Sequence, residues 1–258
     1  GVVLVTRAAD TNYTAQTLSG DVTIGQATQS AVTMTNVTTV VYGSTLTLTA
    51  TGGDGSGAYE FDDVIGQCSV VNGELTPLGV GDCVVHARKL SSTNFAASAW
   101  SADQTISMTP KPLTVAVSPQ NRQWNGDTSV ALAATTAADL SGVEGNDTVG
   151  VDDNFLTASV ATADVGANKP VTVAVAAGYL TGADAVKYLL PTIAGSPTVT
   201  ISRASQAALG FTSQTSTTFG QTLALTTSGG TGTGSTSYAV DSGPCDVTGS
   251  TLTSTAAG

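Results

Sequence analysis

Cys68 and Cys83 are the pair of side chains whose type and spacing point most directly to a covalent bond. Joined, they would close a loop of about 16 residues, which removes roughly 3 kcal/mol of unfolded-chain entropy. The competing reading is two free, buried thiols; a composition suited to an oxidising extracellular setting favours the disulfide. A metal site needs more ligands than the cysteines and the one histidine, His86, can supply. A Ser-His-Asp arrangement would have to use His86, and no nucleophile elbow accompanies it. His86 is expected on the surface of a strand, in Cys83-Val-Val-His-Ala-Arg-Lys. The acidic stretch around Glu144, Asp147, Asp152 and Asp153, with Asn146 and Asn154 beside it, offers oxygen ligands of the kind calcium takes. Its spacing does not fit an EF-hand, and the competing reading is a solvated acidic loop. The glycine-rich Gly52–Gly57 and Gly229–Gly234 lack the lysine and following helix of a phosphate loop, so they read as turns. No catalytic set and no cofactor fingerprint emerge.

The elements that carry these residues repeat. Thr39–Gly81 aligns with Ser216–Gly258 at one offset of 177 residues, without a gap. Tyr42-Gly43 falls on Phe219-Gly220, Leu48 on Leu225, Gly52-Gly53 on Gly229-Gly230 and Cys68 on Cys245. Self-similarity of this length is the mark of an array of modules. The opening Gly1–Gln16 continues the second copy in register: Val3 falls on Val84, Arg7 on Arg88 and, after one gap, Tyr13 on Phe95. The position of Cys83 is then taken by Val2, which leaves Cys245 without a homologous partner. Two readings follow. These residues are one period of a longer covalent array, or the first strands of one subunit complete the last module of its neighbour. Both give a linear polymer of like units, with self as the partner.

The formal charge is −11, with four lysines and four arginines, so no basic patch exists to neutralise phosphates or anionic lipid. Nucleic-acid binding is excluded on this ground, and no run of apolar residues is long enough to insert in a membrane. Thr, Ser, Val, Ala and Gly dominate, as in short strands joined by many turns on a secreted or cell-surface protein. Asn12, Asn36 and Asn146 head glycosylation sequons by pattern alone.

The alternation of apolar and polar residues predicts strands near Val2–Ala8 and Asp21–Ala27. Further strands are predicted near 32–34, 46–50, 59–61, 68–71, 75–77, 83–88 and 104–108. Short strands with a turn signal every 8–12 residues are the pattern of a sandwich. Lys111–Arg203 opens and closes on alternating strands and holds the turn signal Asn125-Gly126. Within it, "LTGADAVKYLLP" has room for one helical turn before Pro191. Little linker separates these pieces, which favours a stiff rod.

"YGSTLTLTATGG", "FGQTLALTTSGG" and the stretch Gly73–Phe95 resemble bacterial immunoglobulin-like repeats. The middle of the chain resembles the YDG repeat of secreted haemagglutinin-type adhesins. "RQWNGDTSVAL", "ADVGANKPVTV" and "LTGADAVKYLLP" carry that likeness, with Trp124-Asn125-Gly126 where the family has Tyr-Asp-Gly. The resemblance implies an all-β chain of tandem immunoglobulin-like β-sandwich modules forming an elongated rod or filament. Residues 1–27 would complete a preceding or neighbouring module, 28–110 form one module, 111–203 the YDG-like module, and 204–258 an incomplete third. The implied role is mechanical and extracellular, a non-enzymatic segment of a bacterial surface filament or stalk. Val2, Val3, Leu4, Val5, Val22 and Ile24 are then the residues expected to pair with a neighbour. The rival role is an adhesin for glycan or protein, which requires an exposed aromatic or charged cluster. Trp100 and Trp124 are the candidates, and both are expected to pack in cores or junctions.

Overall fold

Small β-branched and hydroxyl side chains punctuated by glycine favour extended backbone over helix, and the fold is all-β. The computed structural model describes residues 1–257. Among them, helix is limited to 3-10 turns at Ala137–Asp139, Asp153–Phe155 and Ala185–Lys187, and no helix is long and apolar enough to cross a membrane. The chain forms two compact units. One comprises Gly1–Gln120, Val130–Ser159 and Val171–Pro197; the other comprises Asn121–Ser129, Val160–Pro170 and Thr198–Gly258.

In the first unit, β1 (Val2–Arg7) and β2 (Gln16–Asp21) form an antiparallel hairpin that pairs Val2 with Asp21 and Val5 with Leu18. Then come β3 (Val32–Met34), β4 (Thr39–Val41), β5 (Leu46–Thr47), β6 (Ala50–Gly52) and β7 (Tyr59–Gly66). They are followed by β8 (Cys68–Val71), β9 (Glu74–Pro77), β10 (Gly81–Lys89) and β11 (Gln104–Thr109). One sheet has the order β4-β11-β10-β7, a second β5-β9-β8, and β3 pairs with β6. The sheets share one core: Val40, Val85, Ile106 and Met108 from the first meet Leu75 from the second, together with Leu48. Cys68 on β8 and Cys83 on β10 are joined by a disulfide between the two sheets, with Cα atoms 5.8 Å apart.

The middle of the chain contains β12 (Thr114–Val115), β13 (Arg122–Gln123), β14 (Leu140–Ser141), β15 (Gly150–Val151) and β16 (Leu156–Val160). β17 (Gly166–Val175), β18 (Leu180–Thr181), β19 (Thr192–Ile193) and β20 (Thr198–Ser202) follow. In the first unit β12 lies between β14 and β19, and β15 pairs with β18. Tyr179 is fully buried there, and its hydroxyl shares a 2.8 Å hydrogen bond with Thr135. Burial pushes the Tyr179 phenol up, so it stays a neutral partner. In the second unit β20 pairs parallel with β13 and antiparallel with Gly166–Pro170. β21 (Leu209–Phe211), β22 (Thr222–Ala224), β23 (Thr227–Gly229), β24 (Cys245–Thr248) and β25 (Thr251–Ser254) complete it, as the pair β21-β23 and the sheet β22-β25-β24.

The repeat is visible at the level of single atoms. Gly52 and Gly229 both have positive φ, +94° and +87°. A Cβ on Gly52 would meet Ala31 O at 2.2 Å, and one on Gly229 would meet the equivalent Ala208 O at 2.0 Å. No other residue fits either turn.

Two expectations are corrected. The strand predicted over Asp21–Ala27 lies earlier, at Gln16–Asp21, and leaves Val22 and Ile24 past its end. Asp10 Oδ1 accepts from the backbone of Asn12 and Tyr13 at 2.7 and 2.9 Å, which fixes a local turn and with it the hairpin register. The alternation of Val22 and Ile24 gains nothing where no second sheet covers it. Trp124, expected in a core or junction, is 49% exposed, because Gly126 at φ +82° turns the chain directly after β13.

The cross-sheet disulfide gives the first prediction. Reduction should lower the unfolding free energy of the 28–110 region by about 3 kcal/mol. Urea denaturation with and without dithiothreitol reads this; coincident curves would show that the bond does not restrain the unfolded chain.

Candidate functional site

The charged side chains that sequence left ambiguous meet in one cluster. Tyr42, in the turn after β4, is buried against Leu113, Val149 and Tyr188. Its ring meets Tyr188 edge to face, with centroids 5.8 Å apart. Asp147 sits beneath both rings with its side chain 8% exposed. It accepts from the Tyr42 hydroxyl at 3.1 Å, from the Tyr188 hydroxyl, and from Lys187 Nζ at 2.9 Å. Lys187 also reaches Asp184 Oδ1 at 2.8 Å and lies 5.0 Å from the centre of the Tyr42 ring. Lys111 pairs with Glu144, whose backbone N–H donates to the Tyr188 hydroxyl at 2.9 Å.

The sequence places Lys187 well for this. It ends the 3-10 turn Ala185–Lys187, so Asp184, just before the turn, meets it at a spacing of three residues. Burial alone would raise the Asp147 carboxyl, but hydrogen bonds from Tyr188, Lys187 and Tyr42 outweigh it and hold the group below its ordinary value. Hydrogen bonds to Asp184 and Asp147 push the Lys187 ammonium far up, against its partial burial. Burial, reinforced by the hydrogen bond to Asp147, pushes the Tyr188 phenol up as well. The cluster is therefore a fixed ion pair clasped by two neutral phenols. It ties together the segments that bear Tyr42 and Asp147.

The four carboxylates considered for calcium do not converge. Glu144 and Asp147 are engaged by lysines as above. Asp152 Oδ1 accepts from the Asn154 backbone at 3.0 Å, and Asp153 accepts from the Thr135 backbone at 3.0 Å and from its hydroxyl. No group of three or more His, Cys, Asp and Glu suited to a metal forms among the described residues. The sequence hid this because the partners, Lys187 and Thr135, are distant along the chain.

His86 stacks on Trp100, with ring centroids 4.0 Å apart, and Arg88 lies 4.5 Å from the centre of the same ring. His86 and Arg88 alternate outward on β10, so the tryptophan spans them as a surface clamp. Val2, Val3, Leu4 and Val5 all lie on β1 and are 50–70% exposed; Val22 and Ile24 are 48% and 88% exposed.

The C-terminal segment shows a second feature. β21-β23 reproduces β3-β6, and β22-β25-β24 reproduces β5-β9-β8, in the same register at the offset of 177. The equivalents of β4 and β7, residues 216–218 and 236–243, form no strand. A cavity of about 590 Å³ opens there, lined by Leu209, Phe211, Leu225, Tyr238, Cys245 and Leu252. Their counterparts Val32, Met34, Leu48, Phe61, Cys68 and Leu75 lie in or against core in the first copy.

Residues 109–196 match the family described as YDG domain. Tyr42 lies outside the matched residues, while Lys111, Glu144, Asp147, Asp184, Lys187 and Tyr188 lie inside them, so the cluster joins this domain to the segment before it. No curated protein matches the chain.

The Asp147 contribution is fully present above the ordinary carboxylate value of 3.8 and is lost as pH falls through its lower folded value. The Lys187 contribution is fully present below 10.5 and is lost as pH rises through its higher folded value. Asp147→Ala should therefore cost about 2 kcal/mol at neutral pH, by leaving buried donors unmatched. The deficit should shrink toward about pH 2.5, below the ordinary carboxylate value of 3.8, where the unfolded chain has taken up the proton. Urea unfolding of both proteins at the two pH values measures this; an equal deficit at both would mean that charge pairing is not the cause.

Proposed function

We propose that the chain is a structural segment of an extracellular bacterial surface filament or stalk, in which immunoglobulin-like β-sandwich modules flank the YDG domain and join like modules end to end. The observation that carries this reading is the buried clasp of Tyr42, Asp147, Lys187 and Tyr188. A buried, fully paired ion pair between consecutive segments resists their rotation and separation, which is what an element held under tension needs. The cross-sheet disulfide and the duplicated strand register add support. Each ties distant parts of the chain without creating a reaction site.

A second reading, an adhesin that binds glycan or partner protein, is favoured by one observation. Trp124 is 49% exposed beside the turn at Gly126, the kind of flat apolar face on which a sugar ring stacks.

Electron microscopy of native material tests the first reading: filaments or stalks at the cell surface are expected, and a dispersed monomer would overturn it. Saturable binding to a glycan array that is lost in Trp124→Ala would favour the second reading instead.

A further inference from the structure

The turn after β13 holds an asparagine whose side-chain amide is placed for attack by its own backbone. Asn125 is exposed and is followed by Gly126, which has no Cβ to hinder approach to the peptide nitrogen. Asn125 Oδ1 accepts from the backbone N–H of Asp127 at 3.0 Å, so the side chain is folded back across the Gly126 peptide. Arg122 Nη1 donates to the same oxygen, and Arg122 Nη2 donates to the Asp127 carbonyl. Among the described residues, neither the Gly126 N–H nor Asn125 Nδ2 has a hydrogen-bond partner. The nucleophile and the leaving group are therefore free, whereas the carbonyl oxygen between them is held by two donors, one of them a cation.

We infer that Asn125 is a self-modification site, converted to an aspartyl or isoaspartyl residue through a cyclic imide, with the Arg122 guanidinium and the Asp127 N–H stabilising the oxyanion. The Gly126 nitrogen gives its proton to solvent and forms a bond to Asn125 Cγ. Negative charge gathers on Oδ1, where both donors already point. The Cγ–Nδ2 bond then breaks, and Nδ2 leaves as ammonia with a proton from water. Water opens the imide at either carbonyl, which restores the Gly126 N–H. Water is consumed and ammonia released, with no change of oxidation state. The aspartyl product keeps the length of the turn and sets a carboxylate against Arg122. The isoaspartyl product routes the main chain through the former side chain. It lengthens the backbone between Trp124 and Gly126 and removes the turn that follows β13. This conversion depends on neither the stalk nor the glycan reading.

Asn72-Gly73 supplies an internal control. It is the same dipeptide, in the two-residue turn between β8 and β9 that Val71 and Glu74 close by pairing. Asn72 is exposed, and its side chain has no hydrogen-bond donor bonded to it among the described residues. Loss of one oxyanion donor costs about a hundredfold or more in a closed site; at an exposed turn water replaces part of it, so roughly tenfold is expected.

The test is incubation of the full chain in neutral buffer, read by peptide mass spectrometry and by isoaspartate methyltransferase labelling. Asn125 should gain about one mass unit, and the isoaspartyl label, roughly tenfold faster than Asn72. In urea, where the fixed donors are lost, the two rates should converge; this comparison needs no variant to fold. Arg122→Gln should slow conversion at Asn125 about tenfold in the folded chain and leave Asn72 unchanged. Arg122→Lys, which keeps a cationic donor, should fall between. An Asn125 that stays unmodified, a ratio of the two rates that is the same with and without urea, or an unchanged rate at Asn125 in Arg122→Gln would each overturn the inference.

Discussion

Strand β10 is hydrogen-bonded along both edges, to β7 and to β11, and buries Cys83, Val85 and Ala87 completely. One extended segment therefore satisfies two neighbours, anchors the disulfide and fills the core. The two copies of the repeat act as a natural experiment on this dependence. Phe61 in the first copy lies on a strand and Tyr238, its equivalent, does not. The first copy offers β7 a hydrogen-bonded partner in β10, and residues 236–243 have none among the described residues. Pairing contributes strongly to which stretches become strands here, as expected where side chains are small and each strand alone buries little.

The clasp at Asp147 solves a different problem. A chain this poor in aromatic residues cannot join segments through large apolar interfaces. It concentrates directional contacts instead: two phenols and an ammonium converge on one carboxylate. Such a group is costly to bury unless every acceptor is matched, so the geometry tolerates little sliding.

Much of this was legible in sequence. The strand at Cys68–Val71 is where alternation predicts it, because a period of two with turn residues at each end leaves one solution. Gly52-Gly53 and Gly229-Gly230 announced a turn that the positive φ angles require. What sequence could not show were contacts whose value lies in distant partners. Asp147 reads as one of several acids until Lys187, 40 residues on, is folded beside it. The second strand of the N-terminal hairpin departs from its predicted position for the converse reason. Its apolar alternation pointed to burial, but the Asp10 turn fixed a nearer register and no core was present to compete.

Tyr42 and Phe219 occupy equivalent places in the two copies, each followed by a glycine with positive φ. Tyr42 is buried and donates its hydroxyl to a carboxylate; Phe219 is 61% exposed and has no hydroxyl to donate. A neighbour seated on Phe219 would meet the same ring without a directional bond to fix its azimuth. Tyr42 makes a keyed coupling, whereas Phe219 can make only a swivel.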